Sequence, residues 1–241
     1  MSVSQLADIL REQEKPECVE AYQEDYRISL HIDDKPGAAV TAFNLGRAYQ
    51  DLPALRNLDE AERWYQRSLE LRAEGDRKGK GGCMAQLGLV AYERFKDARE
   101  KERGEKELLE HLNAAVEYYQ QALALLPPDA VDDLAVAHNQ LGLIYMNAGD
   151  PSTGSGQSLE RALEHYNQGI KYREMGGNLY KAGTYRFNVA IALANNGRAS
   201  DALLYARAAL RSFEPYGQGA GEVIERTKGL IGEIEKHLSG K

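Results

Sequence analysis

The stretch Asn44-Leu45-Gly46-Arg47-Ala48-Tyr49 decides the fold, because its pattern returns three more times along the chain. The four copies share a large apolar residue followed by glycine or alanine, and they read Asn44-Leu45-Gly46, Gln86-Leu87-Gly88, Gln140-Leu141-Gly142 and Asn188-Val189-Ala190. A glycine inside a helix costs about 1 kcal/mol relative to alanine, so its return at one site indicates close packing against a neighbouring helix. Repetition on this scale predicts a protein of stacked repeats.

Each copy is followed by a second pattern of residues spaced by four positions and then by three. The four sets are Ala61, Tyr65 and Ser68; Ala115, Tyr119 and Ala122; Ala162, Tyr166 and Gly169; and Ala202, Ala206 and Ala209. Residues at these spacings share one face of an α-helix. Each copy therefore predicts two helices, here called helix A and helix B, that cross closely at small residues. One such pair cannot bury its apolar face alone, whereas stacked pairs can.

Both ends of the chain fit the same plan. Tyr26 and Ser29 align with Tyr65 and Ser68, which predicts a degenerate first pair with helices over residues 3–13 and 16–32. Near the other end, one helical stripe is apolar and consists of Val223, Thr227, Leu230, Ile231, Ile234 and Leu238. Charged residues occupy the other faces of that helix. This arrangement is typical of a capping helix, which packs one face on the last repeat and turns the other to water.

The pattern resembles the tetratricopeptide repeat, whose motif places W-x2-L-G-x2-Y in helix A and A-x3-F-x2-A-x4-P in helix B and beyond. The segment Ala115-x3-Tyr119-x2-Ala122-x4-Pro127 matches the second half at every spacing, although the leading Trp is absent from all four copies. The copies are also lengthened, since successive positions of the small residue are 42, 54 and 48 residues apart. Such repeats are similar to the kinesin-light-chain-like subgroup, which is common in bacterial signalling and defence proteins.

The resemblance implies an all-α fold, a right-handed α-solenoid of antiparallel helix pairs that forms a single domain over residues 1–241. We expect six segments: a degenerate N-terminal pair (1–37), repeat 1 (38–75), repeat 2 (76–130), repeat 3 (131–178), repeat 4 (179–214) and a capping helix (215–241). Repeat 2 contains a densely charged stretch, residues 93–110. This stretch is either a solvated extension of the two helices or an additional docking surface.

Composition excludes several classes of function. The net charge of −7 and the pI near 5.4 argue against nucleic acid as the main ligand, because binding a phosphate backbone needs a basic surface. No apolar run approaches the ~18 residues that cross a bilayer, and the first residues do not form a secretory signal. Cys18 and Cys83 make neither a disulfide framework nor a zinc pattern. These features predict a cytoplasmic protein that does not act at a membrane.

The sequence predicts no chemical site. The stretch from Gly75 to Gly81 is too short for a phosphate-binding loop and lacks its Ser or Thr. None of the five histidines stands at a metal-binding spacing. A nucleophilic pair of Cys83 and His138 would lack an orienting third group. We therefore expect no enzyme activity, no cofactor and no metal.

In the tetratricopeptide family, helix A lines a concave groove in which ligands lie. The resemblance therefore implies a partner-binding groove formed by Phe43, Asn44, Arg47 and Gln50; Gln86, Leu89 and Tyr92; Asn139, Gln140, Leu143 and Asn147; and Phe187, Asn188, Ile191 and Asn195. Because amides both donate and accept hydrogen bonds, the equivalent Asn44, Gln86, Gln140 and Asn188 either pair with a peptide backbone or tie neighbouring helices together. The aromatic residues of the set are either anchors for a partner or members of the core.

These features predict a non-catalytic protein–protein interaction module, a scaffold or adaptor that binds a peptide or helical segment of another protein as a monomer or homodimer. Two alternatives remain open: an assembly subunit that associates through its solenoid ends, and the sensor segment of a larger signalling or defence regulator. The chaperone-tail clamp known in the family is not expected. Its lysine, arginine and asparagine positions are held here by Phe43, Arg47, Val136 and Gln140.

Overall fold

The computed structural model describes the backbone of residues 2–148 and 155–240, and the side chains of residues 2–146 and 158–240. Within these ranges every regular element is helical, and neighbouring helices pack as antiparallel pairs, which confirms the all-α fold. The chain divides into two compact units, unit 1 (residues 1–127) and unit 2 (residues 128–241). Each unit is described by itself.

Unit 1 contains six helices. They are α1 (Val3–Glu12), α2 (Cys18–His31), α3 (Lys35–Asp51), α4 (Leu58–Leu71), α5 (Arg77–Glu100) and α6 (Glu105–Leu125). Short polar side chains begin several of them: Asp34 caps α3, Asn57 caps α4 and Asp76 caps α5, each accepting a hydrogen bond from a backbone N–H of the first turn. These caps satisfy donors that have no partner within the helix, so the chain starts a new helix at each of these residues.

The described part of unit 2 contains five α-helices and one 3₁₀ helix. They are α7 (Val131–Ala148), α8 (Ser155–Met175), α9 (Leu179–Asn195), α10 (Ala199–Phe213), the 3₁₀ helix Glu214–Ala220 and α11 (Gly221–Ser239). Helix α11 packs on α10, where Val223 and Leu230 contact the cluster that contains Phe213. Thr227 and Ile234 of α11 are buried, and its charged residues are exposed. The prediction of a capping helix with one apolar face is therefore confirmed.

The recurring glycine lies under a tyrosine ring in each of the first three repeats. The pairs are Gly46 with Tyr65, Gly88 with Tyr119 and Gly142 with Tyr166. All three tyrosines are essentially completely buried, and a Cβ added to the glycines would lie only 2.6 to 3.0 Å from the nearest ring atom. In repeat 4 the equivalent residues are Ala190 and Ala206, both fully buried. A methyl group fits on helix A there because helix B has no ring at that position.

The first helix pair differs from its predicted alignment. Tyr22, one turn before Tyr26, is the residue that faces α1: its hydroxyl donates to Asp8 and accepts from Arg11. Tyr26 instead packs edge-on against Trp64 of α4, with ring centroids 5.3 Å apart. The alignment of Tyr26 with Tyr65 is therefore wrong by one turn. The spacing alone could not distinguish them, since both tyrosines lie on apolar stripes of α2.

The charged stretch of repeat 2 lies within two long helices. Phe95 and Ala98 of α5 are buried, and Arg56, from the α3–α4 connection, forms a two-hydrogen-bond ion pair with Asp97. The tip of the hairpin, residues 99–107, is exposed throughout, and Lys96, Leu109 and Glu110 are exposed as well. The α5 part of this stretch is thus mainly an extension of the core of unit 1.

Candidate functional site

Four of the predicted groove residues lie together in unit 2. Leu143 of α7 and Asn188, Ile191 and Asn195 of α9 line a depression of about 230 Å³, and Met146 of α7 completes its apolar wall. Residues three or four positions apart share a helix face, so a single face of α9 supplies all three of its members. The helix A register therefore brings these side chains to one surface.

A second depression, of about 210 Å³, continues this surface toward the C-terminal helix. It is lined by Ile191 and Asn195 again, together with Leu230, Glu233, Ile234 and His237 of α11. We call the two depressions together the unit 2 groove, lined by Leu143, Met146, Asn188, Ile191, Asn195, Leu230, Glu233, Ile234 and His237. Its floor is apolar. Asn188 and Asn195 supply amides near its centre, and the Glu233 carboxylate lies in the part formed by α11, so the centre suits an uncharged or apolar segment more than a charged one.

The other predicted residues of unit 2 are placed differently. Asn139 and Phe187 are buried, and Phe187 belongs to a cluster with Phe213 and Ala220. Gln140 is half-buried. The backbone of Asn147 lies in α7, but its side chain is outside the described residues.

In unit 1 most of the predicted residues are engaged inside the chain. Gln50 is buried and accepts a hydrogen bond of 2.8 Å from the Tyr65 hydroxyl. Asn44 donates to Asp8 of α1 at 3.5 Å, a tie between neighbouring helices of the kind considered for the amides. Arg47 pairs with Asp51 on its own helix.

The remaining predicted residues of unit 1 divide between core and surface. Phe43 packs edge-on against Tyr65, and Tyr92 is buried and stacks on Phe95. Gln86 and Leu89 are half-buried on α5. In unit 1 the predicted aromatic anchors thus contribute to packing within the unit.

Sequence reasoning missed the contribution of α11 to the groove. The sequence pattern predicts that Leu230 and Ile234 lie on the stripe that packs against the last repeat, but they also border the second depression. Their spacing of four residues indicates a shared face of α11. It does not show that this face extends past the packed surface, because that depends on how far α9 and α11 lie apart.

A pair of histidines lies between α7 and α8. The Nδ1 atoms of His138 and His165 are 2.9 Å apart, and the rings stack on Tyr172 and Tyr145 respectively. Burial and the neighbouring His165 lower the pKa of His138 to about 4, while burial and Arg161 lower the pKa of His165. At neutral pH both rings are therefore neutral and the N–H of one donates a hydrogen bond to the ring nitrogen of the other, whereas protonating both rings would bring two positive charges together.

This pair makes the stability of unit 2 depend on pH. A histidine with a lowered pKa is neutral in the folded state but takes up a proton in the unfolded state, so its contribution is complete above about pH 6.5 and is lost as the pH falls toward 4. We expect the free energy of unfolding to fall by on the order of 1 kcal/mol over this range, because both rings are partly exposed. Denaturant titrations at several pH values measure it.

The matching variant is His138→Asn, which removes one titrating ring. It should flatten the dependence of unfolding free energy on pH between about 4 and 6.5. His31→Asn, at an exposed histidine of unit 1, is the control and should leave the wild-type slope unchanged. An unchanged slope in His138→Asn would contradict the assignment to the histidine pair.

The described residues contain neither a cluster of metal ligands nor a membrane-spanning helix. Among them, no three His, Cys, Asp or Glu side chains come together as a metal site would require. None of the described helices combines the length and the apolar composition needed to cross a membrane.

The chain is similar to known proteins in sequence over one segment and in structure over most of its length. Residues 41–79 match the family model of the tetratricopeptide repeat, and no curated protein sequence matches the chain significantly. The crystal structure of BtubC (BKLC) from P. vanneervenii is similar with a TM-score of 0.68 and 14% identity, over 92% of this chain and 83% of that one. The crystal structure of MamA gives a TM-score of 0.57 and 19% identity, over 88% of this chain and 96% of that one.

At these identities the two structures support the fold alone, and the kinesin-light-chain-like subgroup stays a prediction. The repeat model, however, covers the helix pair in which the deciding stretch around Gly46 lies. Both units are built from helix pairs of the same kind, with the same small residue under helix B. The chain therefore contains a tetratricopeptide repeat over residues 41–79, and its other helix pairs have a similar fold.

Proposed function

We propose that this protein is a non-catalytic interaction module that holds a peptide or helical segment of a partner protein in the unit 2 groove. Tetratricopeptide repeat proteins generally bind other proteins, and the acidic balance of the chain disfavours nucleic acid as an alternative. The observation that carries the proposal is the joint lining of two adjoining depressions by Ile191 and Asn195. A continuous surface across α7, α9 and α11 gives an extended segment several contacts in a row.

The chemistry of the groove indicates what such a segment would contain. Ile191 remains more than a third exposed, so an apolar side chain placed on it would remove further apolar surface from water. Asn188 and Asn195 each offer a donor and an acceptor, which matches the two polar groups of a peptide unit. We therefore expect the bound part of the partner to be apolar and uncharged at its centre.

Replacing Ile191 with aspartate tests the groove. A charge at this position would have to be desolvated when the partner binds, so we expect at least about a tenfold loss of partner affinity, equivalent to about 1.4 kcal/mol. Affinity capture from lysate with quantitative mass spectrometry identifies candidate partners, and titration calorimetry with each purified candidate measures the affinity. Thermal unfolding of the variant checks that unit 2 is intact.

The matched control is Ile28→Asp, the same change at a similarly exposed isoleucine on α2 of unit 1. A partner of the groove should be retained by this variant and lost by Ile191→Asp. If the two variants capture the same proteins with equal affinity, the unit 2 groove is not the binding site.

A further inference from the structure

Unit 2 has another depression, between α8 and α10, that shares no residue with the unit 2 groove. Its volume is about 290 Å³, and Leu163 and Leu193 form an apolar floor. Leu204 stands at its edge with 65% of its surface exposed, which is as much as any large apolar side chain in the described residues. Together these leucines form an apolar site that the helix pairing of the unit leaves open to solvent.

The rim of this depression is acidic. Glu160 and Glu164 of α8 and Asp201 of α10 contribute three carboxylates, against one guanidinium, that of Arg198. Arg198 is held in place because it pairs with both Glu160 and Asp201 at 2.7 Å. Glu164 lies one turn beyond Glu160 on the same face of α8.

The two helices are also connected at the other side of the depression. The hydroxyl of Tyr205 on α10 donates a hydrogen bond of 2.7 Å to the Asn167 side chain on α8. Together with the Arg198–Glu160 pair, this contact bridges α8 and α10 on both sides of Leu204. These two contacts link α8 and α10 without a partner, which lowers the entropy cost of binding.

We propose that this α8–α10 surface, defined by Glu160, Leu163, Glu164, Asp201, Leu204 and Tyr205, docks a basic amphipathic segment of a partner protein. An apolar side chain of the segment covers Leu204 and contacts the floor beside it. Lysine or arginine side chains flanking that residue lie next to Glu160 and Glu164, where opposite charges favour encounter and like charges disfavour it. The segment differs from the occupant proposed for the unit 2 groove, which is uncharged at its centre.

Two synthetic probe peptides test this surface with the full-length protein. Both place leucine on one face of a helix, and they carry either lysine or glutamate on the other face. Fluorescence polarisation at physiological salt should show that the leucine–lysine probe binds the wild type and that the leucine–glutamate probe binds at least about tenfold more weakly. Leu204→Glu should weaken binding of the leucine–lysine probe by at least about tenfold.

Charge reversal separates this surface from a general attraction to an acidic protein. Glu164→Lys should weaken the leucine–lysine probe and strengthen the leucine–glutamate probe, each by at least about threefold. Glu12→Lys changes the net charge equally at an exposed position of α1, and Ile32→Glu alters an isoleucine that is also 65% exposed. Both controls should keep wild-type affinity within about twofold.

Three results would overturn the proposal. They are no measurable binding of the leucine–lysine probe to the wild type, equal binding of the two probes, and equal losses in Leu204→Glu and Ile32→Glu. Because Leu204 and Glu164 project into solvent, their variants should fold normally. Matching thermal unfolding curves confirm this for each protein used.

Discussion

Gly46→Ala will destabilise unit 1 by about 2 kcal/mol, although alanine is the better helix former. The added Cβ would lie 2.6 Å from the Tyr65 ring, which is completely buried and whose hydroxyl is hydrogen-bonded to buried Gln50. The ring therefore cannot move aside without disturbing its neighbours, and overpacking of this kind costs about 1–3 kcal/mol or more. The gain in helix propensity offsets only about 1 kcal/mol. Denaturant unfolding followed by circular dichroism measures the change.

Gly82→Ala is the matched control for this prediction. Gly82 is also inside a helix of unit 1, but beyond its chain neighbours and the backbone of its own helix no atom lies within 4 Å of a Cβ placed there. The same substitution should therefore stabilise the protein, by up to about 1 kcal/mol. Opposite signs at Gly46 and Gly82 would show that the tyrosine, and not the helix backbone, decides the outcome.

Tyr65 completes a double-mutant cycle with Gly46. Tyr65→Ala alone should cost about 3–5 kcal/mol, because it leaves a cavity and removes the hydrogen bond to Gln50. In that background Gly46→Ala should become neutral or slightly stabilising, since the ring that it would meet is gone. The double variant resembles repeat 4, where alanine stands at both places. A Gly46→Ala penalty of the same size in both backgrounds would contradict the proposed contact.

Arg173→Ala will destabilise unit 2 by about 3 kcal/mol. The Arg173 side chain on α8 is only 3% exposed; it forms an ion pair with Asp132 of α7 and donates to the Tyr185 hydroxyl of α9 at 3.2 and 3.3 Å. One side chain thus connects three helices. Truncating it leaves a cavity and an unpaired hydroxyl in the interior, which are among the most costly single changes.

Denaturant unfolding measures the loss, and hydrogen exchange locates it in α7, α8 and α9. Arg207→Ala is the control, because Arg207 forms an exposed ion pair with Glu235 and should contribute no more than about 1 kcal/mol. Arg173→Lys should recover only part of the stability, because an ammonium group cannot reproduce the planar fork that serves two partners. Equal losses of unfolding free energy in Arg173→Ala and Arg207→Ala would contradict the interpretation that Arg173 connects three helices in the interior.

The candidate site was only partly predictable from the sequence. The spacing of Asn188, Ile191 and Asn195 predicts that they share a face of α9, and all three line one depression. The resemblance also implies that Phe187, the immediate neighbour of Asn188, lines the groove. In the structure Phe187 packs into the core beside Phe213. Adjacent positions on a helix point about 100° apart, and only the neighbouring helices determine which direction is buried.

The sequence by itself determined the helices and their pairing in this protein. The spacing of Leu45, Gly46 and Tyr49 is local, and so are the caps at Asp34 and Asn57, so neither depends on distant contacts. Tertiary structure alone decided the contacts between residues far apart in the chain: the histidine pair, the three-helix connection of Arg173, and the exposure of Leu204 between α8 and α10. These depend on the distances and rotations of packed helices, which side-chain spacing within one helix does not specify.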